Sequence, residues 1–160
     1  MSKQEKEHLL DNLLEAHLAV RAVLDRVDLE MPVYYEEGGW RVRDIIGHIA
    51  TWDKEVAKSL RAYKTGSEYL IPDLDEDEVD FNETAALEQR KLSAQQIVDD
   101  FIQAYKVFRD GIQDIPADRF PGDLLYPWGD ERGSITLLVD YMIEHAIEHL
   151  DEIKNATKER

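Results

Sequence analysis

The chain has 160 residues, enough for one domain with its own core, and carries a formal net charge of −16. A surface this acidic repels phosphate backbones and anionic lipids, so we expect neither nucleic acid nor membrane partners. Cysteine is absent, which excludes disulfides, thiolate nucleophiles and cysteine-ligated zinc. The charged N-terminus has no signal-peptide core, so the expected location is cytoplasmic.

Apolar residues at helical spacing predict four long amphipathic helices. In chain order they cover about residues 3–29, 41–64, 93–112 and 135–155, with a shorter helix at about 79–91. Ser93-Ala94-Gln95-Gln96 is typical of a capping box at the start of the third long helix. No segment alternates at period two over the length of a strand. These features predict an all-α fold, an antiparallel four-helix bundle, in one domain spanning residues 1–160.

Two connections are long for a bundle, and long loops in compact domains are usually functional or mobile. The first, 66–78, contains an acidic run at 73–77 that imitates the start of an EF-hand loop. Its sixth position is Glu78 instead of glycine and its twelfth is Thr84 instead of glutamate, so we interpret it as a flexible loop. The second, 114–133, contains a proline and aromatic stretch at 125–129. It walls a pocket or, as an equal alternative, plugs the end of the bundle.

Three histidines form the strongest functional signal. His145 and His149 are four residues apart, so both imidazoles project from one face of the last helix, at the edge of its apolar stripe. His48 borders the apolar face of the second long helix. Together they predict a three-histidine metal site with open coordination positions, as catalytic metals require. Zinc or nickel is the preferred metal, with iron, cobalt and manganese as alternatives. The competing interpretation is a set of hydrogen-bonded, partly buried histidines.

Other side chains are candidates for supporting roles. His17 points inward, and we prefer a satisfied core histidine to a fourth ligand or a donor to a ligand. Glu55, Glu148 and Glu152 could orient a ligand or move a proton, although for each we prefer a solvated carboxylate on a helix face. The candidate substrate pocket contains one amide and four aromatic side chains, namely Trp52, Asn82, Tyr126, Trp128 and Tyr141.

Three motifs occur in order along the chain: the segment 39–52 at the start of the second helix, Asp80-Phe81-Asn82, and the His145/His149 pair. Together they resemble the DinB/YfiT-like family of metal-dependent enzymes over nearly the whole chain. The first segment is similar to the family's tryptophan, basic residue, aspartate and histidine. Two features depart from the family pattern: Arg41 stands where a Ser or Thr cap is usual, and no arginine or glutamine follows His149 at 150–153.

The resemblance implies an up-down-down-up bundle, a metal held by His48, His145 and His149, and often a homodimer. Family members with known chemistry include thiol-dependent S-transferases and a mycothiol-dependent maleylpyruvate isomerase, in which the metal activates the thiol of a small cofactor. The segment 126–129 and Asn82 also resemble a related branch, which includes the colibactin self-resistance cyclopropane hydrolase and need not use a metal.

The preferred hypothesis is a metal-dependent enzyme that acts on a small electrophilic metabolite, by S-transfer from a low-molecular-weight thiol or by hydrolysis. One alternative is a metal-independent protein, either a binding protein without turnover or a cyclopropane-hydrolase-like resistance protein. The other is a structural metal that only holds the bundle together.

Overall fold

Four long helices bury their apolar stripes against one another. The computed structural model describes residues 2–34, 39–72 and 78–158. In those ranges the helices are α1 (Ser2–Leu24), α2 (Val42–Lys64), α3 (Glu78–Gln89), α4 (Ala94–Gln113) and α5 (Ile135–Lys158). Between α4 and α5 lie a 3₁₀ helix, Ala117–Arg119, and two antiparallel two-residue strands, β1 (Leu124–Leu125) and β2 (Arg132–Gly133).

Helix α2 is the central element of the bundle. It packs along α4 and also contacts α3 and α5, while α1 packs against α5 and α4. Its residues Val42, Ile45 and Ile46 are fully buried. The predicted all-α bundle, with a short helix between the second and third long helices, is therefore confirmed. Among the described helices, none combines the length and the apolar character needed to cross a bilayer.

The predicted capping box at the start of α4 is confirmed. The Ser93 hydroxyl accepts a hydrogen bond from the Gln96 backbone N–H at 3.1 Å, and the Gln96 side-chain oxygen accepts one from the Ser93 backbone N–H at 2.8 Å. Two of the amide groups at the helix start are thus satisfied by local side chains. Since both residues lie within four positions, the sequence pattern is sufficient to identify this start.

The end of α1 differs from the prediction. The helix ends at Leu24, not near residue 29, and residues 25–30 form turns. The Asp28 carboxylate accepts a hydrogen bond from the Glu30 backbone N–H, a local contact that competes with helical bonding. Val27 and Leu29 nevertheless pack against the core from these turns. Their burial extended the apparent helical periodicity beyond the real helix.

The two long connections meet at the same end of the bundle. The Ile71 backbone N–H donates a hydrogen bond to the Pro127 carbonyl at 3.0 Å. The strands β1 and β2 form a hairpin within the second connection, with Leu124 opposite Gly133. Sequence analysis predicted no strand, because two residues are too few to show a period of two. The acidic run 73–77 lies outside the described residues.

Helix α3 approaches α2 closely at Gly47, next to the histidine of α2. The Gln89 amide donates hydrogen bonds to the Gly47 carbonyl and to the Thr51 hydroxyl, both at 2.8 Å. A β-carbon at position 47 would lie 2.5 Å from the Gln89 side-chain oxygen. A side chain at position 47 would displace the Gln89 amide, which holds the C-terminal end of α3 against α2.

Asp53 is an anomaly in the core. Its side chain is buried and lines a small cavity between α1, α2, α4 and α5, together with His17. Among the described residues, its carboxyl group has neither a hydrogen-bond partner nor an ion-pair partner. Burial raises the pKa of Asp53 from 3.8 to about 8. The folded chain therefore binds a proton there that the unfolded chain releases.

This burial predicts a specific dependence of stability on pH. Between the unfolded pKa near 3.8 and the folded pKa near 8, only the folded state keeps the Asp53 proton. The free energy of unfolding should therefore fall as pH rises, by at most about 1.4 kcal/mol per pH unit. Asp53→Asn should remove this contribution, so the variant gains stability over the parent from pH 4 to pH 8 in urea titrations. A stability difference that is flat across this range would contradict the assignment.

Candidate metal centre

Helices α2 and α5 bring three imidazoles to one point. The Nε2 atoms of His48 and His145 are 3.0 Å apart, although 97 residues separate them in the chain. The Nε2 atom of His149 is 3.1 Å from that of His145. One ring nitrogen from each of the three histidines lies within 4.8 Å of the other two. The residues predicted from sequence as a group are therefore a group in space.

Burial keeps two of these imidazoles neutral. Desolvation, with a smaller contribution from the neighbouring histidines, lowers the pKa of His48 to about 3. Desolvation and His149 lower the pKa of His145 to about 4, although Glu152 acts in the opposite direction. The Trp40 ring covers His48, with ring centroids 5.0 Å apart. At neutral pH both rings therefore offer lone pairs instead of positive charge.

Glu152 determines which nitrogen of His149 faces the group. Its Oε2 atom lies 3.3 Å from Nδ1 of His149 and also accepts a hydrogen bond from the Tyr34 hydroxyl. A carboxylate only accepts, so Nδ1 carries the proton and Nε2 keeps its lone pair. A carboxylate behind a histidine in this way is the usual support of a metal-binding imidazole.

Hydrogen bonding alone satisfies this group poorly. A neutral imidazole nitrogen is either a donor or an acceptor, and its single lone pair lies in the ring plane. Nε2 of His145 is nevertheless close to two other Nε2 atoms. For metal–nitrogen bonds of about 2.0–2.1 Å, two ligands at 90–110° are about 2.8–3.4 Å apart. The observed separations of 3.0 and 3.1 Å fit a single divalent ion.

An aromatic wall, formed by Trp52, Trp128 and Tyr141, lies one helical turn from the histidines. Trp52 follows His48 by four residues and Tyr141 precedes His145 by four, so each shares a helix face with its histidine. The Trp128 ring lies 6.4 Å from both the Trp52 and the Tyr141 rings. Through Trp128, the second long connection therefore contacts both α2 and α5 beside the candidate metal centre.

The candidate pocket residues differ in burial and in their hydrogen-bond partners. Trp52 donates a hydrogen bond from its indole N–H to the Asn82 side-chain oxygen at 2.9 Å, which links α2 to α3. Tyr126 is fully buried, and its hydroxyl donates to the Ser134 carbonyl at 2.8 Å. The structure therefore places Tyr126 behind the wall, as part of the core, whereas Trp128 and Tyr141 are half-buried.

Sequence analysis missed Glu131. Its carboxylate accepts hydrogen bonds from the Trp128 indole at 3.2 Å and from the Tyr141 hydroxyl at 2.9 Å. No sequence signal identifies it, because its contacts depend on the β1–β2 hairpin and on the approach of α5. Its position beside two pocket candidates makes it part of the site.

The other candidates for supporting roles lie in different surroundings. The His17 ring stacks on Tyr105 and Phe101, with centroids 4.0 and 4.9 Å apart, and burial lowers its pKa to about 4. It lies in the core, as sequence analysis preferred, but within the described residues its ring nitrogens have no hydrogen-bond partner. Glu55 accepts hydrogen bonds from Tyr69 and Lys58. Glu148 is exposed, so Glu152 is the predicted carboxylate that contacts a histidine of the group.

Comparison with known proteins identifies a family and a fold. The family model described as mycothiol maleylpyruvate isomerase N-terminal domain matches residues 10–151. Two crystal structures of the mycothiol-dependent maleylpyruvate isomerase, one of them a histidine-to-alanine mutant, superpose with a TM-score of 0.74. The sequence identity is 13% for the mutant and 12% for the other. Each match covers 92% of this chain and 60% of the solved chain, so this chain spans 60% of their length. No curated protein matches.

The contact between Glu152 and His149 predicts the tautomer of that imidazole. In metal-free protein near neutral pH, ¹⁵N chemical shifts should show a protonated Nδ1 and an unprotonated Nε2 for His149. Glu152→Ala should convert this ring to a mixture of tautomers, while Glu148→Ala should change nothing, because Glu148 is an exposed carboxylate on the same helix. The same tautomer in the parent and in Glu152→Ala would show that the carboxylate does not control the ring.

Proposed function

Because the chain belongs to the mycothiol maleylpyruvate isomerase N-terminal domain family, within the DinB/YfiT-like superfamily, we propose that it is a metal- and thiol-dependent enzyme. Its substrate is a small metabolite, and its metal ligands are His48, His145 and His149. The observation that carries this proposal is the convergence of three Nε2 atoms from two helices. The family resemblance inferred from the sequence motifs is confirmed by the family match over residues 10–151.

The ligand set favours a catalytic ion. Three uncharged imidazoles leave the full charge of a divalent metal uncancelled and leave coordination positions open. Such an ion lowers the pKa of a thiol or a water molecule bound to it. Nitrogen ligands suit zinc or nickel, with iron, cobalt and manganese as alternatives. Glu152 orients His149, and the Trp40 ring shields one side of His48.

The comparisons favour isomerisation assisted by a thiol cofactor over the S-transfer and hydrolysis expected from the sequence. The two matching crystal structures are of a mycothiol-dependent isomerase, and this chain covers 60% of their length. In the proposed site the thiol would bind at the three histidines, and the substrate would lie along the aromatic wall. A homodimer and a cytoplasmic location remain predictions.

The metal-independent alternative is less well supported. A binding protein or a cyclopropane-hydrolase-like protein would not need three lone pairs directed at one point. The hydrogen bond from Trp52 to Asn82 links α2 to α3 in either case. The two proposals therefore differ in metal content, which can be measured directly.

Metal analysis tests the ligand set. Protein purified without a histidine tag from metal-supplemented medium should contain about one transition-metal ion per chain by mass spectrometry. His48→Ala, His145→Ala and His149→Ala should each lose most of it, because two imidazoles bind far more weakly than three. His8→Ala is the matched control, since His8 is an exposed histidine of α1. A parent protein without metal, or a His8→Ala variant that loses it, would overturn the ligand assignment.

Chelation separates a catalytic from a structural metal. The bundle has an extensive apolar core on both sides of the site, so it should fold without the ion. Removal of the metal should abolish thiol-dependent turnover while lowering the melting temperature by only a few degrees. Readdition of zinc or nickel should restore turnover. Unfolding on chelation, detected by circular dichroism, would instead identify a metal that holds the bundle together.

A further inference from the structure

The polar atoms of the aromatic wall are all occupied by protein partners. The Trp128 indole and the Tyr141 hydroxyl donate to the two carboxylate oxygens of Glu131. The Trp52 indole donates to Asn82. The wall therefore has no free hydrogen-bond donor for a substrate and offers it the faces and edges of aromatic rings.

Glu131 has no positively charged partner in the part of the chain that the structure describes. Both of its oxygens accept hydrogen bonds from uncharged donors. Within residues 2–34, 39–72 and 78–158, no lysine, arginine or histidine forms an ion pair with it. Its neighbour Arg132 is paired with Glu68 at 2.8 Å and with Asp123 at 3.5 Å. The segments 35–38 and 73–77 contain six acidic residues and no basic one, so they add no positive charge.

Aromatic rings and an unbalanced carboxylate form the environment that stabilises an organic cation. The negative face of each ring attracts a positive charge, most strongly for tryptophan, and the attraction increases as the site is desolvated. The wall contains two tryptophans and a tyrosine, and its rings are partly or fully buried. A carboxylate substrate group would meet repulsion from Glu131 and, within the aromatic wall itself, no free hydrogen-bond donor to offset it.

We infer that the end of the substrate remote from the metal is a cation, of the alkylated ammonium class, held between the aromatic wall and Glu131. This inference rests on the proposed function for the position of the reacting end, one helical turn away. Glu131 then determines specificity, because its carboxylate selects substrates by charge.

A pair of probes with the same shape tests the charge preference. Choline and 3,3-dimethylbutan-1-ol differ in one central atom, nitrogen or carbon, and hence in one positive charge. In NMR titrations of the metal-loaded chain at about 0.15 M salt, where distant charges are screened, choline should bind about tenfold more tightly. The anion 3,3-dimethylbutanoate should bind more weakly than either. Shifts should be confined to Trp52, Trp128 and Tyr141 signals.

Two matched variants identify the source of the preference. Glu131→Gln keeps an acceptor for Trp128 and removes the charge, so the ratio of the two affinities should fall close to one. Asp130→Asn removes the charge of the exposed neighbour and should leave the ratio unchanged. Equal binding of the two probes by the parent, no binding of choline, or a ratio that persists in Glu131→Gln would overturn the inference.

Metal content measured on the same samples distinguishes this inference from the proposed function. A chain that holds one metal ion but does not prefer choline would retain the proposed function and lose only the cationic substrate. A chain that prefers choline through Glu131 but holds no metal would lose the proposed function and keep the cation site.

Discussion

The packing of α2 against α5 determines the candidate site, because it places His48 within 3.0 Å of His145 across 97 residues of sequence. The fully buried residues of α2, such as Ile45 and Ile46, hold the helix in the bundle core, while Gly47 admits α3 beside it. His48 lies between these two packed surfaces. A shift of α2 by a fraction of a helical turn would separate the imidazoles, so the precision of the site depends on the apolar core.

Desolvation has opposite consequences in two parts of this core. At His48 and His145 it lowers the pKa and keeps the nitrogens free to bind a metal. At Asp53 it raises the pKa, so the folded chain keeps a proton that the unfolded chain releases. The free energy of unfolding therefore falls as pH rises. The same low polarity therefore prepares the candidate metal centre and reduces stability at a neighbouring position. A bundle with an apolar core of this extent can tolerate the lower stability caused by Asp53.

Sequence predicted the local features of this protein and the grouping of its three histidines, and missed features that depend on other tertiary contacts. The Ser93 capping box and the His145/His149 pair each involve residues within four positions, so helix geometry was sufficient. The end of α1 was placed too late because partly buried Val27 and Leu29 continue the apolar pattern without a helix. The convergence of His48 with the pair was predicted by combining helix faces with a family resemblance. Glu131 could not be found, since its two partners meet only when the hairpin folds onto α5.

The family match gives information about the fold of this chain, whereas the residues around Trp128 give information about its substrate. The family match and the shared fold identify the bundle that this chain has in common with its relatives. The proposed substrate contacts are the aromatic wall and Glu131, of which Trp128 and Glu131 lie on the hairpin connection, outside the four packed helices. Connections vary among relatives more readily than packed helices do. At 13% identity, the charge around Trp128 is a better guide to the substrate of this protein than the substrate of its relatives.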